Sequence, residues 1–570
     1  MSRKEKANIS GILLLFALLA SLPLLRNTLL SAPVLTHDTF FHTQRIWSLK
    51  NALLEGQFPV RIYTEIYNGY GYGAPLYYPD ILLYIPAVLC ILGVPLATSY
   101  NIFMILANVA TVGIAYYSYS YIIKSKIMGV IATGLYTLST YRLLDMYTRG
   151  AVGELLALVF APLVLCGLIM LKRGDYHKWW VVALAYTGVV QSHILSFVML
   201  AGMGVLYAVF HWKRFLNGKA ILSVVKAGGL WLLLNAWFLL PFLKAMKELP
   251  VWGNPSFWKT GASPVQLFDL FLPSVIGTEV FGGDITKSIP KTPGVLLLIG
   301  LSMLLVALVV HRNQLKEVKW RILGYTLPGI LAVLMVTNLF PGGIVQKIPG
   351  LRGLFPKFQF MWRFNVLAIL FLSIAAAYGF YYLFVAGAAH KQRWLVVISG
   401  VTIAFGLIYI SQFMKQASEF TNEEVVQYGY MDMLYLRPGF SYLTEGQIES
   451  NEKNIQYSAY VHEKGRVSCQ IDSVTPVSKE QDIYIDVPLT YYTGYQARLD
   501  GQPVAVTYSE KGVVRVYLPE GCPGGKLEVF YEDGLVVKLA NVMSLLTWMG
   551  FLAVRIIPGI RKRITKEAQT

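Results

Sequence analysis

Twelve runs of mostly apolar residues recur along the chain, at 9–30, 99–123, 127–144, 153–171, 179–192, 195–211, 221–242, 293–311, 321–338, 365–386, 394–413 and 537–557. Nothing else constrains the fold as strongly. A hydrocarbon core about 30 Å thick is crossed by roughly 20 helical residues, and within it every backbone N–H and C=O must find a partner inside the segment. The runs therefore predict a polytopic α-helical membrane protein of about twelve spans. Composition removes the alternatives. Charged residues are 14% and the mean hydropathy is +0.51, whereas soluble domains carry about 25% charged residues. An ordinary soluble enzyme and a disordered chain are both excluded.

The net charge of +17 does not indicate nucleic-acid binding. Residues 415–535 hold 10 Lys/Arg and 18 Asp/Glu, a net of −8, so the remainder carries +25. That excess sits in short clusters between apolar runs: 1–8, 124–126, 172–178, 212–219, 312–321, 390–393 and 561–566. They fall on one side if the N-terminus is cytoplasmic, which is the positive-inside pattern. Both termini are then inside. The first run is too long for a signal-peptide core and no cleavage site follows it, so it reads as a retained span.

A leftover run, 81–95, has two prolines and about 15 residues, which suits an interfacial or re-entrant helix. The long stretch 179–211 reads as two short helices meeting at Gln191-Ser192-His193. The segments left outside are 31–98, 145–152, 243–292, 339–364 and 414–536. The last alternates apolar and polar residues (QDIYIDVPL, GVVRVYL, KLEVFYE) between turn signals at Leu499-Asp500-Gly501 and Glu510-Lys511-Gly512, which predicts a small β-sandwich. The expected organisation is a transmembrane module at 1–413, an extracytoplasmic β-domain at 414–536, and a last span with a basic tail at 537–570. Of the four cysteines, Cys469 and Cys522 share the β-domain, and whether they pair is open. No CxxC pair marks a zinc or redox site.

Ionisable groups gather on the outer turns. The first outer segment opens THDTFFHTQRIW. If 38–50 is helical, Asp38, His42 and Arg45 share a face beside His37. The same segment continues with Arg61, Tyr70 and Tyr72 in a Tyr/Gly/Pro-dense stretch, which is either an interfacial belt or the lining of a sugar cleft. The second turn brings Asp145, Arg149 and Glu154; a helix N-terminal Glu is also favoured by the macrodipole. The third brings His193, which backbone contacts alone could account for. The fourth ends GLRGLFPKFQFMWRFN, with Lys357 and Arg363 outside against the charge trend. Cations flanked by aromatics suit a lipid-linked phosphate, or snorkel to headgroups. Four turns delivering such groups to one face of an apolar protein predict a shared site.

These residues resemble a known superfamily. His37-Asp38-Thr39 is similar to the modified DxD motif in the first outer loop of GT-C glycosyltransferases. More specifically, HDTFFHTQRI, GQFPVR, NGYGYGAPLYYPD, YRLLDMYTRGAVGE, SHILS, QFMWRFN and GYQARLDGQPV resemble the YfhO-like, "6-pyruvoyl-tetrahydropterin synthase-related" bacterial membrane proteins. Met361 stands where that family tends to have proline, and no pterin-synthase histidine triad is present. The resemblance implies a GT-C-like fold with juxtamembrane helices in the first outer loop, in the bacterial plasma membrane. It implies a polyprenyl-phosphate-linked sugar donor and an extracytoplasmic envelope acceptor, such as lipoteichoic acid, another wall polymer, a glycolipid or a protein. Asp38 would be the general base, and Glu154 the second catalytic-site carboxylate. Arg363, with Lys357, would hold the leaving phosphate. His37, His42, Arg45, Arg61, Tyr70, Tyr72, Asp145, Arg149 and His193 would support substrate. A divalent metal near His37, Asp38 and Glu154 is compatible with these residue types, although their spacing carries no metal signature.

Two other classes remain at this level. A flippase for lipid-linked saccharides would show charges deep within spans and repeat symmetry, neither of which is visible. A non-catalytic envelope scaffold would use the β-domain to bind wall polymer.

Overall fold

The computed structural model describes residues 2–248, 265–271, 291–345, 347–350, 358, 360–411, 414, 440–451, 455–473, 483–519 and 522–556. Lys357, most of 243–292, residues 415–439 and the basic tail 561–566 lie outside the described residues.

Each of the twelve apolar runs contains helix. Among the described residues, seven helices are long and apolar enough to cross a membrane: Leu96–Ile123, Val152–Lys172, Gly218–Glu248, Lys319–Val336, Met361–Val385, Lys391–Ile410 and Leu535–Val554. A further pair, Arg3–Ala20 and Leu22–Leu29, is bent by 60°, where Ser21 and Pro23 interrupt the hydrogen-bond ladder. The other runs form shorter helices, among them Lys126–Thr137, Trp179–Val190, Ile194–Phe210 and Val295–Val310. The chain is a multi-pass α-helical membrane protein with an antiparallel β-domain. The run 81–95 forms the apolar helix Ile81–Ile91 and turns at Gly93, whose φ is +91°. Eleven residues rise only about 16 Å, half a bilayer core.

The chain divides into two compact units. The first comprises 1–42, 94–231 and 252–424. Its core is built on Val152–Lys172 and Asn365–Phe380, both largely buried. Val152–Lys172 packs on Leu96–Ile123 and Trp179–Val190; Asn365–Phe380 packs on Val295–Val310, Lys319–Val336 and Lys126–Thr137. Close approach there depends on small residues: a Cβ on Gly379 would stand 2.4 Å from the Gly300 carbonyl oxygen.

The second unit comprises 43–93, 232–251 and 425–570. Its strands are β1 (Glu449–Ser450), β2 (Gln456–Glu463), β3 (Arg466–Ser473), β4 (Tyr484–Thr490), β5 (Tyr495–Leu499), β6 (Gln502–Val504), β7 (Val506–Tyr508), β8 (Val513–Tyr517) and β9 (Gly525–Tyr531). They form two antiparallel sheets, ordered β1-β4-β8-β7 and β2-β3-β9-β5-β6, over one core of Val467, Ile485, Val487, Val514, Val516, Leu527 and Val529. The three alternating segments of the sequence are β4, β8 and β9. Asp500 and Gly501 have φ of 49° and 79°, as the tight β5–β6 hairpin requires. Opposite one another in the register, Asp486 and Arg515 pair at 2.7 Å. Cys469 and Cys522 are buried and free, so the disulfide left open by the sequence is not formed. The last helix is tied to the second half of Gly218–Glu248: Trp237 N–H donates to Ser544 Oγ at 3.1 Å, and Ser544 Oγ donates to the Leu233 carbonyl at 2.7 Å.

Candidate functional site

A helix that starts at a membrane face leaves its first N–H groups unsatisfied and its positive dipole end exposed. Val152–Lys172 is such a helix, and Glu154 stands in its first turn. The chain reaches it through the short helix Thr140–Leu144, a π-turn Asp145–Arg149, and Gly150 in the left-handed region at φ +64°. Glycine is required there twice over. A Cβ would be strained at that φ and would stand 1.8 Å from Thr36 Oγ1.

That tight approach docks the segment that follows the first, bent helix pair. The His37 N–H donates to the Thr148 carbonyl at 3.0 Å, and the Asp38 N–H to the Arg149 carbonyl at 2.9 Å. Thr39 Oγ1 accepts from Thr36 N–H at 3.0 Å and donates to the Val34 carbonyl at 2.8 Å, which fixes the turn before the helix Thr39–Leu54. His42 lies one helical turn past Asp38, its N–H on the Asp38 carbonyl at 3.1 Å, with its ring buried edge-on to Phe41.

Behind this docked segment is a buried ionic network. Arg149 Nη1 lies 2.5 Å from Asp145 Oδ1 and 3.2 Å from Glu154 Oε2. The Tyr141 hydroxyl donates to Glu154 Oε1. Arg363 Nε stands 3.6 Å from Glu154 Oε2. Burial opposes the charge on Arg149, but Asp145 and Glu154 outweigh it and hold the guanidinium ionised, with Asp38 adding to the same field. His193 caps the helix Ile194–Phe210, its Nδ1 accepting from Ser196 N–H at 3.3 Å. Burial and the cations Arg363 and Arg149 outweigh Glu154 there and push His193 down to about 3, so its ring is neutral. Burial, Lys291 and Arg149 likewise lower His37.

Lys291 is the member that the sequence reading missed. Its ammonium lies 4.4 Å from the Trp362 ring centroid, and its carbonyl accepts from Asn365 Nδ2 at 2.6 Å. Burial and Arg149 bring Lys291 down to about 8, against the pull of Asp145. Phe360 and Trp362 stack at 4.1 Å beside Arg363. The first unit therefore gathers His37, Asp38, Asp145, Arg149, Glu154, His193, Lys291 and Arg363. Three cations meet three carboxylates, and Asp145 and Glu154 both pair with Arg149 inside the network.

Four other residues singled out in the sequence belong to the second unit, where all are buried. Arg45 donates to the Pro79 carbonyl at 3.0 Å and faces the Tyr78 ring at 4.2 Å. Arg61 bridges Asp533 at 3.2 Å, the Trp237 carbonyl at 3.0 Å and Asn541 at 3.0 Å. The Tyr70 hydroxyl accepts from Leu443 N–H at 2.9 Å, and Tyr72 sits edge-on to Tyr67. These contacts knit the 61–80 stretch to its own unit.

Among the described residues no group of three or more His, Cys, Asp or Glu side chains could hold a metal ion. Arg149 holds Asp145 Oδ1, Tyr141 and the guanidinium groups engage both Glu154 oxygens, and cations already occupy their surroundings. The donor set does not fit a divalent metal, and no step below runs through one.

No family model matches the chain. A protein of Lactococcus lactis subsp. cremoris (strain MG1363), named "Uncharacterized protein", is 26% identical over 251 residues, 42% of this chain. The chain spans 39% of that relative's length. Among solved structures, the cryo-EM structure of the arabinofuranosyltransferase AftD from mycobacteria is similar at 13% identity and a TM-score of 0.37. That likeness covers 73% of this chain and 27% of the other. At this distance neither likeness assigns a residue or a substrate.

Proposed function

We propose that this chain is a GT-C-type membrane glycosyltransferase that moves a sugar from a polyprenyl-phosphate donor to a hydroxyl of an extracytoplasmic envelope acceptor. The observation that carries the reading is the two-bond docking of His37-Asp38 onto the Thr148–Arg149 backbone, beside the network holding Arg149, Arg363 and Lys291. It sets a half-buried carboxylate beside a cluster of cations. A phosphate leaving group needs the cations, and a hydroxyl nucleophile needs the base.

In this reading the acceptor oxygen attacks the anomeric carbon while Asp38 takes its proton. The bond from that carbon to the phosphate oxygen breaks, and polyprenyl phosphate departs with its added negative charge facing Arg363, Lys291 and Arg149. Lys357 is assigned to the same phosphate on sequence grounds. Asp145, Glu154 and Tyr141 are positioning residues that hold the guanidinium groups. Neutral His193 donates or accepts hydrogen bonds without adding charge, and His37 is assigned to substrate support beside Asp38. A carboxylate set beside a cluster of cations favours transfer over translocation, because a flippase has no use for a base. The test is transfer of radiolabelled sugar from a synthetic polyprenyl-phosphate donor by purified protein in nanodiscs. Product formation above a boiled control supports the reading, and its absence across a panel of donor sugars with cell-envelope acceptors refutes it.

A further inference from the structure

The helix Val152–Lys172 carries Glu154 in its first turn and Lys172 at its last residue. Eighteen residues separate the two by about 27 Å along the axis, so Lys172 marks the opposite membrane face of the first unit. At that end is a cavity of about 280 Å³ lined by Lys124, Ile169, Lys172, Arg173, Tyr207, Arg321 and Tyr325. Four of the seven are cations and none is acidic. They come from the ends of three helices and the turn after Lys172, so the convergence is tertiary and not one basic run.

Several contacts shape the cavity. Arg173 docks on the end of Leu96–Ile123, donating to the carbonyls of Tyr121 at 2.7 Å and Ile122 at 2.6 Å. That leaves part of its donor fork for another acceptor. Lys172 stands over the Tyr207 ring, 5.6 Å from its centroid. Arg173, Arg214 and Arg321 all act on the Lys172 ammonium with like charge. Asp175, the adjacent carboxylate, is already engaged by the Tyr121 hydroxyl and by Lys178 at 3.8 Å. Like charges held this close call for an anion. The helices that carry the lining residues say where it comes from: Val205, Leu206, Val209 and Phe210, on the helix of Tyr207, are 59–81% exposed, and Trp320, next to Arg321 in sequence, is 79% exposed. Such apolar surface is stable only against acyl chains.

We propose that this cavity is a binding site for the phosphate headgroup of an anionic membrane lipid, held by Lys124, Lys172, Arg173 and Arg321 with its acyl chains on the flanking apolar helices. Basic pockets between membrane helices have the charge and shape for such headgroups. The site lies at the far end of the helix from the proposed transfer chemistry and does not depend on it. A lipid held there bridges Leu96–Ile123, Val152–Lys172 and Lys319–Val336, and acts as a structural ligand.

The experiment uses full-length protein in nanodiscs of pure phosphatidylcholine or with 20% phosphatidylglycerol, read by thermal melting and by native mass spectrometry of retained lipid. Phosphatidylglycerol is expected to raise the melting temperature by several degrees and to be retained by wild type. Arg321→Gln, Lys172→Gln and the double variant are expected to lose both effects stepwise while melting like wild type in phosphatidylcholine. Should the double variant fail to fold, the single variants carry the comparison. Equal retention by wild type and variants overturns the site. Inorganic phosphate or pyrophosphate added to phosphatidylcholine discs is expected to leave melting unchanged. A shift matching that of phosphatidylglycerol overturns the lipid as its source.

Discussion

In the proposed reaction Arg363 and Lys291 divide the work of meeting the phosphate. Arg363 is a permanent cation with a planar donor fork, whereas the charge of Lys291 depends on pH. Arg363→Ala is expected to weaken donor binding by about 2–5 kcal/mol if the ion pair is desolvated, with the fold retained because Arg149 and Tyr141 still satisfy Glu154. Calorimetric titration with a non-transferable donor analogue checks this, and unchanged affinity returns Arg363 to headgroup snorkelling. Lys291, lowered to about 8, is expected to make donor affinity fall as pH rises through that value. The sign for stability is opposite. Its folded-state pKa lies below the ordinary lysine value, so the unfolded chain binds more protons between about 8 and 10.5, and stability rises with pH across that window. Lys291→Met should abolish the step in affinity near pH 8, and a step that persists assigns it to another group. The residues that cluster were readable because charge is scarce in this chain. Asp145, Arg149, Glu154 and Arg363 stand out among apolar neighbours. Lys291 did not, because a lysine two residues before an apolar run reads as an ordinary flank. Tyr141 reads as one more belt tyrosine, and only the turn at Gly150 sets it against Glu154.

At the scale of elements, the π-turn Asp145–Arg149 and Gly150 decide whether the 36–39 turn docks. Gly150→Ala is expected to cost about 1–3 kcal/mol from backbone strain alone and to push Thr36 away. That breaks the His37 and Asp38 hydrogen bonds, so transfer should fall further than the loss of folded protein accounts for. Thermal melting and turnover on the same sample check this, and parallel losses make Gly150 a purely structural residue. The length of the apolar runs found the helices well. The break at Gln191–His193 and the short helix Ile81–Ile91 follow from run length and proline position. A π-turn leaves no such trace, since its register depends on Arg149 reaching both Asp145 and Glu154. The β-strands were legible by alternation and turn glycines, but their order was not. The ladder β3-β9-β5 joins segments that are distant in sequence, and only the packed core selects it.

For the whole molecule, charge asymmetry is the organising fact. The basic connections, the acidic stretch 415–535 and the turns that carry the site make one topological argument, which predicts an extracytoplasmic β-domain. Ser441 is exposed at the edge of the described β-region. A Ser441→Cys protein with its native cysteines replaced should therefore react with an impermeant thiol reagent in intact cells. Protection until the cells are opened reverses the topology and removes the outer site with it. The most direct measurement is single-turnover sugar transfer by Asp38→Asn against wild type in nanodiscs, with folding checked by melting. The substitution keeps shape and hydrogen bonding but removes the base. The account predicts turnover lower by roughly 10²–10⁴, with donor affinity little changed. Wild-type turnover by Asp38→Asn would contradict it.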